Sequence, residues 1–363
     1  MKSLNQLIIT LTVCLFSIQA WAQSGKLFNT DNQLSSNLAT QVFQDKSGFI
    51  WIATRNGLNT YDGYHITVMK KDMSNFSGLK SNYINSIAQD DKGHILLGTN
   101  NSLLEFTGSE FHKIPMLDSK GEELATYVKQ VYPLKNKDVA VATSGYGIMI
   151  KKKDTQECHA MKGEVEKLKY IHKLLEDKRG RLWIITEDGK LYRKETNGRV
   201  TAHFVGTEGV DAQDIQQDVL GNLYLASKNQ GVHLLRAGSN VFTRISSIGN
   251  LPIENIYISR NNKLYIGCDG LGIYVYDPQT GFLQDNPLFS RLVNLAKSKV
   301  TSIIEDNQGN IWVSMLQKGV FMQSNIQNDF NYMGFRLGSR NVIGENCVTS
   351  LSINQGNQVW VGT

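Results

Sequence analysis

The chain has 363 residues, 41% hydrophobic and 20% charged, with 32 Gly, 5 Pro and a net charge of +5. That composition supports the core of one large domain or two ordinary ones, and excludes a disordered, collagenous or multi-span membrane chain. Four cysteines are too few and too scattered for a disulfide scaffold, and the dispersed basic residues form no nucleic-acid-binding face.

Residues 1–22 read as a secretory signal peptide. Lys2 opens a short polar step, Leu7 to Ile18 is mainly apolar, and Ala20-Trp21-Ala22 is a small-x-small cleavage pattern. The apolar run is short for a bilayer span, and no later stretch is long enough to cross one. Export with cleavage after Ala22 is therefore expected. Cys158, Cys268 and Cys347 remain and are read as small buried residues.

From there one motif returns at a regular interval. Asp45-x-x-Gly48-x-x-Trp51 is followed by Thr54 and Gly57. Asp90, Gly93, Leu96 and Thr99 repeat it, and a degenerate copy spans Val139 to Gly147 with Ala140 in the tryptophan slot. Asp177, Gly180, Trp183, Thr186 and Gly189 form the next copy, then Asp218, Gly221, Tyr224, Ser227 and Gly231. Asn262, Tyr265, Cys268 and Gly272 follow, then Asp306, Gly309, Trp312 and Gly319. An eighth copy begins at Gly356 and reaches Trp360, Gly362 and Thr363. Successive slots lie 41 to 48 residues apart, and four of the five tryptophans occupy them.

Each unit reads as four antiparallel strands. An alternating segment such as Leu38 to Gln44 precedes each Asp. Asp-x-x-Gly is a tight turn, with Asp bonding local backbone and Gly supplying positive φ. Gly48 to Thr54 and Leu58 to Tyr61 are the next strands, and Ile66 to Lys70 a weaker fourth. A four-stranded sheet repeated at this period is a propeller blade, because ring stacking covers both apolar faces and leaves short edges. The fold is therefore expected to be all-β, a seven-bladed propeller over 23–335, with 336–363 opening a second, incomplete propeller. Trp51, Trp183, Trp312 and Trp360 are expected to pack between blades. Lys26 to Asn29 reads as a displaced fourth strand that latches the ring, a place that Phe330 to Phe335 also competes for.

Leu34-Ser-Ser-Asn37, Gln44-Asp45, Gly48-Phe-Ile-Trp51-Ile-Ala-Thr54-Arg-Asn-Gly57-Leu58 and Tyr61-Asp62-Gly63-Tyr64 resemble the two-component regulator propeller repeat. Leu79 to Phe106 is a second clear match, and the resemblance extends from Gln23 to Thr363. It is the repeat of the exported sensor regions of Bacteroides-type hybrid histidine kinases. The resemblance implies a dimeric periplasmic sensor for a polysaccharide breakdown product. Its membrane attachment and kinase would lie in downstream segments, and this segment would bind no nucleic acid. The chain stops at Thr363 inside a repeat and shows no kinase phosphoacceptor or ATP-lid pattern, so it reads as a truncated gene or fragment with no enzymatic activity of its own.

By strand topology, the turn between the second and third strands shares one face with the blade-to-blade crossovers. That face is expected to carry Arg55, Asn56, Asn100, Asn101, Tyr146, Glu187, Asp188, Asn229, Gln230, Asp269, Gln317 and Lys318. Mixed amide, charged and aromatic groups there suit an oligosaccharide, and each residue taken alone is also an ordinary turn residue. Two other functions remain open: a stand-alone protein-binding scaffold, and a sialidase-like hydrolase using carboxylates among Glu187, Asp188 and Asp269. No cofactor motif occurs. The seven histidines show no metal-ligand spacing with Cys or His and are expected in solvated or turn positions. Lys151-Lys-Lys153 reads as a solvated hairpin.

Overall fold

A computed structural model describes residues 23–71, 73, 78–203, 210–285, 298–327, 347–354 and 358–363. The expected signal peptide and the segment Phe330 to Phe335 lie outside these residues. The chain divides into two compact units, one of residues 25–325 and the other including residues 326–363.

The larger unit is a ring of seven sheets. Its innermost strands are Ala39–Gln44, Ile84–Gln89, Val128–Pro133, Ile171–Glu176, Ala212–Gln217, Ile253–Ile258 and Val300–Glu305. Each contacts its neighbours in turn, and the last contacts the first. The second and third strands follow outward antiparallel in every blade. Blade 3 adds a fifth strand, Met116–Leu117, paired parallel to Cys158–Ala160. In blade 7 the outer strand comes from the other end of the ring, where Gln23–Phe28 pairs with Gly319–Gln327. The latch expected at Lys26 to Asn29 is thus present. Phe28 stacks on Trp312 at 5.3 Å and meets Tyr61 edge-on at 4.9 Å.

The Asp-x-x-Gly turn does more than reverse the chain. Oδ1 of Asp45 accepts the N–H groups of Ser47 and Phe49, and Oδ1 of Asp177 those of Arg179 and Arg181. The turn glycines Gly48, Gly93, Gly180, Gly221 and Gly309 all have φ between 74° and 94°. Lys137 and Asn262 hold the same left-handed position in the two blades that lack the glycine. The second oxygen reaches the slot. Oδ2 of Asp45, Asp177 and Asp306 accepts the indole N–H of Trp51, Trp183 and Trp312 at 2.8, 2.9 and 2.8 Å. Each ring is thereby aimed into the next blade, where it packs among apolar residues of that blade. Leu96, Ala140, Tyr224 and Tyr265 fill the slots at the remaining interfaces.

A second device joins the blades near the axis. Every innermost strand begins apolar–polar–polar–apolar, as in Ile84-Asn-Ser-Ile87, and every one carries a register shift between its first and third residues. This β-bulge disturbs the ladder and leaves the fourth residue's N–H to find a partner outside its own sheet. The third residue of the preceding blade supplies one. Gln41 accepts from Ile87 N–H, Ser86 from Val131, Gln130 from Leu174, Asp214 from Ile256, Asn255 from Ile303 and Ser302 from Val42. The seventh interface is different because Lys173 has no acceptor. There Ile215 N–H turns to Asp214 Oδ1, and Lys173 Nζ pairs with the same oxygen at 3.2 Å.

Several expectations are corrected. Trp360 is 65% exposed, because it lies in a two-stranded hairpin, Ser350–Ile353 with Val359–Gly362, whose side chains are mostly exposed. Cys347 is exposed, while Cys158 and Cys268 are buried as expected, and burial pushes both of those thiols up to about 12. Lys151 is buried because the strand Ile148–Lys151 includes it and the turn starts one residue later. His172, His203 and His233 are on strands rather than turns, and His233 is buried.

Two stability tests follow from these contacts. Asn255→Leu removes the acceptor for Ile303 N–H and the donor to Asp214, so urea unfolding should show a loss of about 2–4 kcal/mol. Burial alone would raise the Asp177 carboxyl, but the Trp183 indole, the Arg181 N–H and the Arg181 guanidinium outweigh it and hold it below its usual value. Its ionised form therefore stabilises the fold above the unfolded-state pKa of about 3.9, and that stabilisation is lost as pH falls through the lower folded-state value. Asp177→Asn should destabilise at pH 7, and the gap from the wild type should close as unfolding is measured toward pH 2.

Candidate functional site at the axial channel

The bulge also decides what faces the axis. The second residue of each innermost strand is the extra residue of the bulge, and all seven line one cavity of about 510 Å³. They are Thr40, Asn85, Lys129, His172, Gln213, Glu254 and Thr301. A regular alternating strand would send two adjacent polar residues to opposite faces of the sheet. Here the second residue lines the channel, and the third, which forms the belt, borders the same cavity in every blade but the fifth.

The channel is asymmetric. On one arc Arg55 lies over the Tyr83 ring at 5.3 Å, and Tyr83 meets Tyr127 edge-on with centroids 6.1 Å apart. Tyr127 Oη donates to Asn85 Oδ1 at 2.7 Å. Lys129 Nζ sits 4.9 Å from the Tyr127 ring and 3.4 Å from Glu187 Oε1, which also accepts from Ser144 Oγ at 2.6 Å. Elsewhere, Lys299 pairs with Glu254 at 2.6 Å and Lys173 with Asp214 at 3.2 Å. Of the four basic residues lining the channel, Arg55 alone has no carboxylate partner among the described residues.

Burial pushes the Tyr127 phenol above its usual range, with Tyr83 adding to the rise and Arg55 opposing it. Burial, then the charges of Lys173 and Lys129, lower His172 to about 4, against the pull of Asp214 and Glu187. At neutral pH His172 is thus an uncharged donor and acceptor inside the channel.

The turns expected to share one face are tied to the crossovers. Arg55 N–H donates to Leu38, Glu187 N–H to Tyr170, Asp269 N–H to Pro252 and Leu316 N–H to Lys299. Of the expected site residues, Arg55 lines the channel and Glu187 reaches it through Lys129. The others stay in their turns. Asn100 accepts from Ser81, Asn101 from Thr99 and Ser102, and Asp188 from Thr186 and Lys190. Asn56 and Gln230 donate backbone N–H groups within their turns, Gln317 has a left-handed φ of 74°, and Asp269 bridges Lys299 through the backbone. Tyr146 is exposed, and Asn229 and Lys318 do not line the channel. Glu187 and Asp188 also border a separate groove of about 490 Å³ with Tyr170 and Tyr192.

The residues that sequence reasoning missed are Tyr83, Tyr127, Lys129, His172, Glu254 and Lys299. For Lys129, His172 and Glu254 the signal was present in the paired polar residues that open each innermost strand; Tyr83, Tyr127 and Lys299 stand just before their strands and carried none. One measurement checks the electrostatics: the His172 ring resonances should titrate with a midpoint near 4, well below the ordinary histidine value of about 6.5.

Residues 33–56, 78–101 and 294–317 match the family described as two component regulator propeller. The chain therefore carries repeats of that family. Nothing among curated proteins matches it. Its fold is similar to the extracellular domain of the hybrid two-component system BT3049 from B. thetaiotaomicron, at 22% identity and a TM-score of 0.71, over 94% of this chain and 47% of that one. The extracellular domain of the hybrid two-component system BT4673 from the same organism is similar at 16% identity and a TM-score of 0.69, over 93% and 46%. The chain thus spans about half the length of both domains. Virginiamycin B lyase from Staphylococcus aureus shares the fold at 13% identity and a TM-score of 0.64, over 84% of this chain and 99% of its own.

Proposed function

We propose that this chain, a bearer of two-component regulator propeller repeats, is the front part of an exported sensor and binds an oligosaccharide at the channel mouth. The observation that carries this reading is the arc of Arg55, Tyr83, Tyr127, Asn85 and Lys129 at one cavity. A sugar ring offers hydroxyl groups in a plane and an apolar C–H face. Phenol rings meet the second, while amide and charged side chains meet the first. The fold shared with the extracellular domains of two hybrid two-component systems supports the sensor role.

The mechanism is non-covalent. A ligand that bridges the innermost strands of blades 1 to 3 binds one arrangement of a receptor dimer better than another. It thereby shifts their populations, and the rest of the receptor carries that shift across the membrane. No bond is made or broken by this chain. The ligand, the dimer and the exported location are parts of one reading and stand together.

A thermal-shift screen against oligosaccharides from several polysaccharides tests it. One glycan class should raise the melting temperature by a few degrees when its concentration is about 100-fold above Kd. Tyr83→Ala and Arg55→Ala should each weaken binding about tenfold or more in calorimetric titration. A flat response across a broad panel would favour a protein-binding scaffold instead.

A further inference from the structure

Blade 2 breaks the pattern of the turn carboxylate. In the turns of Asp45, Asp177, Asp218 and Asp306, the second carboxylate oxygen accepts a hydrogen bond from a fixed side-chain donor: Trp51, Trp183, Asn222 and Trp312 respectively. Among the described residues Asp90 has no such donor. Its slot residue is Leu96, and the residue four beyond it is His94, whose Nδ1 stays 3.6 Å from Oδ2. That same Nδ1 lies 3.2 Å from Glu105 Oε1.

Glu105 is itself out of place. It is the cross-strand partner of Leu96, a position held by Thr60, Arg193, Leu234, Val275 and Met322 in five other blades. Asp90 and Glu105 are only 4% and 3% exposed, whereas the His94 side chain is 31% exposed. Two buried carboxylates facing one imidazole leave a net negative charge even when that imidazole is protonated, which a low-dielectric site resists. Lys46 donates to the main-chain carbonyl of Asp90 and, among the described residues, forms no ion pair with either carboxylate.

We infer that Asp90, His94 and Glu105 form a binding site for a divalent transition metal of the zinc type. One ligand atom from each residue lies within 4.8 Å of the other two. Metal–ligand bonds of about 2.0–2.2 Å place tetrahedral ligands roughly 3.3–3.6 Å apart, which agrees with the 3.2 and 3.6 Å separations at Nδ1. A mixed imidazole and carboxylate set suits zinc over calcium or magnesium, and three protein ligands leave a fourth position for water on the exposed side. The metal would take the place of the indole, tying the turn of blade 2 to its third strand.

The test uses the whole chain with Cys347→Ser, so that the exposed thiol cannot bind metal. After chelator treatment, zinc titration by calorimetry should show one tight site and raise the melting temperature, and the chelator should reverse the rise. Cobalt should give the visible absorption of a tetrahedral site. His94→Ala should abolish that absorption, and the milder Glu105→Gln should weaken zinc binding at least about tenfold. The inference is overturned if zinc in excess produces neither heat nor thermal shift with the His94-containing chain. It is equally overturned if His94→Ala and Glu105→Gln both bind as tightly as that chain. In that case the three side chains would be an ion-paired cluster only.

Discussion

The ring depends on one polar interaction repeated around its axis: a backbone N–H released by a β-bulge and accepted by a side chain of the preceding blade. Apolar packing between blades is strong but not directional, and the slot tolerates Trp, Leu, Ala and Tyr. A buried N–H is less forgiving, since leaving it unmet costs about 1–3 kcal/mol. Six interfaces therefore share one hydrogen-bond geometry, from Gln41 with Ile87 round to Ser302 with Val42. The belt fixes how far each blade is rotated against the next, and the strand Gln23–Phe28 then holds the closed circle.

The same bulge creates the channel. By leaving the second residue of each innermost strand unpaired in the ladder, it turns that residue to the axis beside the belt residue. The two tasks overlap: Thr40, Asn85 and Thr301 on the channel also donate to a main-chain carbonyl of the next blade, and Gln41, Ser86, Gln130, Asn255 and Ser302 of the belt also border the cavity. Lys129, His172 and Glu254 stand where Thr40 and Thr301 stand in other blades. At the junction of blades 4 and 5 the belt bond fails, since Lys173 is a donor where an acceptor is needed. Asp214 compensates by accepting Ile215, Ile256, Asn255 and Lys173 together. An acid at this position in one blade answers a base in the preceding one.

Such asymmetry suits recognition. A seven-fold ring with identical blades would present seven equivalent weak sites. Here Arg55, Tyr83 and Tyr127 concentrate aromatic and cationic groups on one arc, while Lys299–Glu254 and Lys173–Asp214 neutralise one another elsewhere. The partnered Lys129 and the unpartnered Arg55 show how differently two cations in one channel behave. Likewise Asp90, deprived of an indole, faces the His94 ring at 3.6 Å where the turns of Asp45, Asp177 and Asp306 hold an indole N–H.

The sequence by itself determined the repeat, the strand count, the turn chemistry and the slot, because these are local: a left-handed turn residue, an aspartate and a wide ring at fixed spacing. The indole–aspartate bond was not read from it, although Asp45 and Trp51 recur as a pair six residues apart. The sequence also placed the turns of Arg55 and Glu187 on the face of the blade crossovers, since turn ends follow from strand order. Only the tertiary structure decided which residues meet across blades. Tyr83 with Arg55, or His94 with Glu105, are separated by intervals that carry no motif, and a bulge overrides the alternation from which facing directions are read. Trp360 makes the point in reverse. It has the same local signature as Trp51, yet it is exposed, because burial requires a neighbouring sheet and not a pattern.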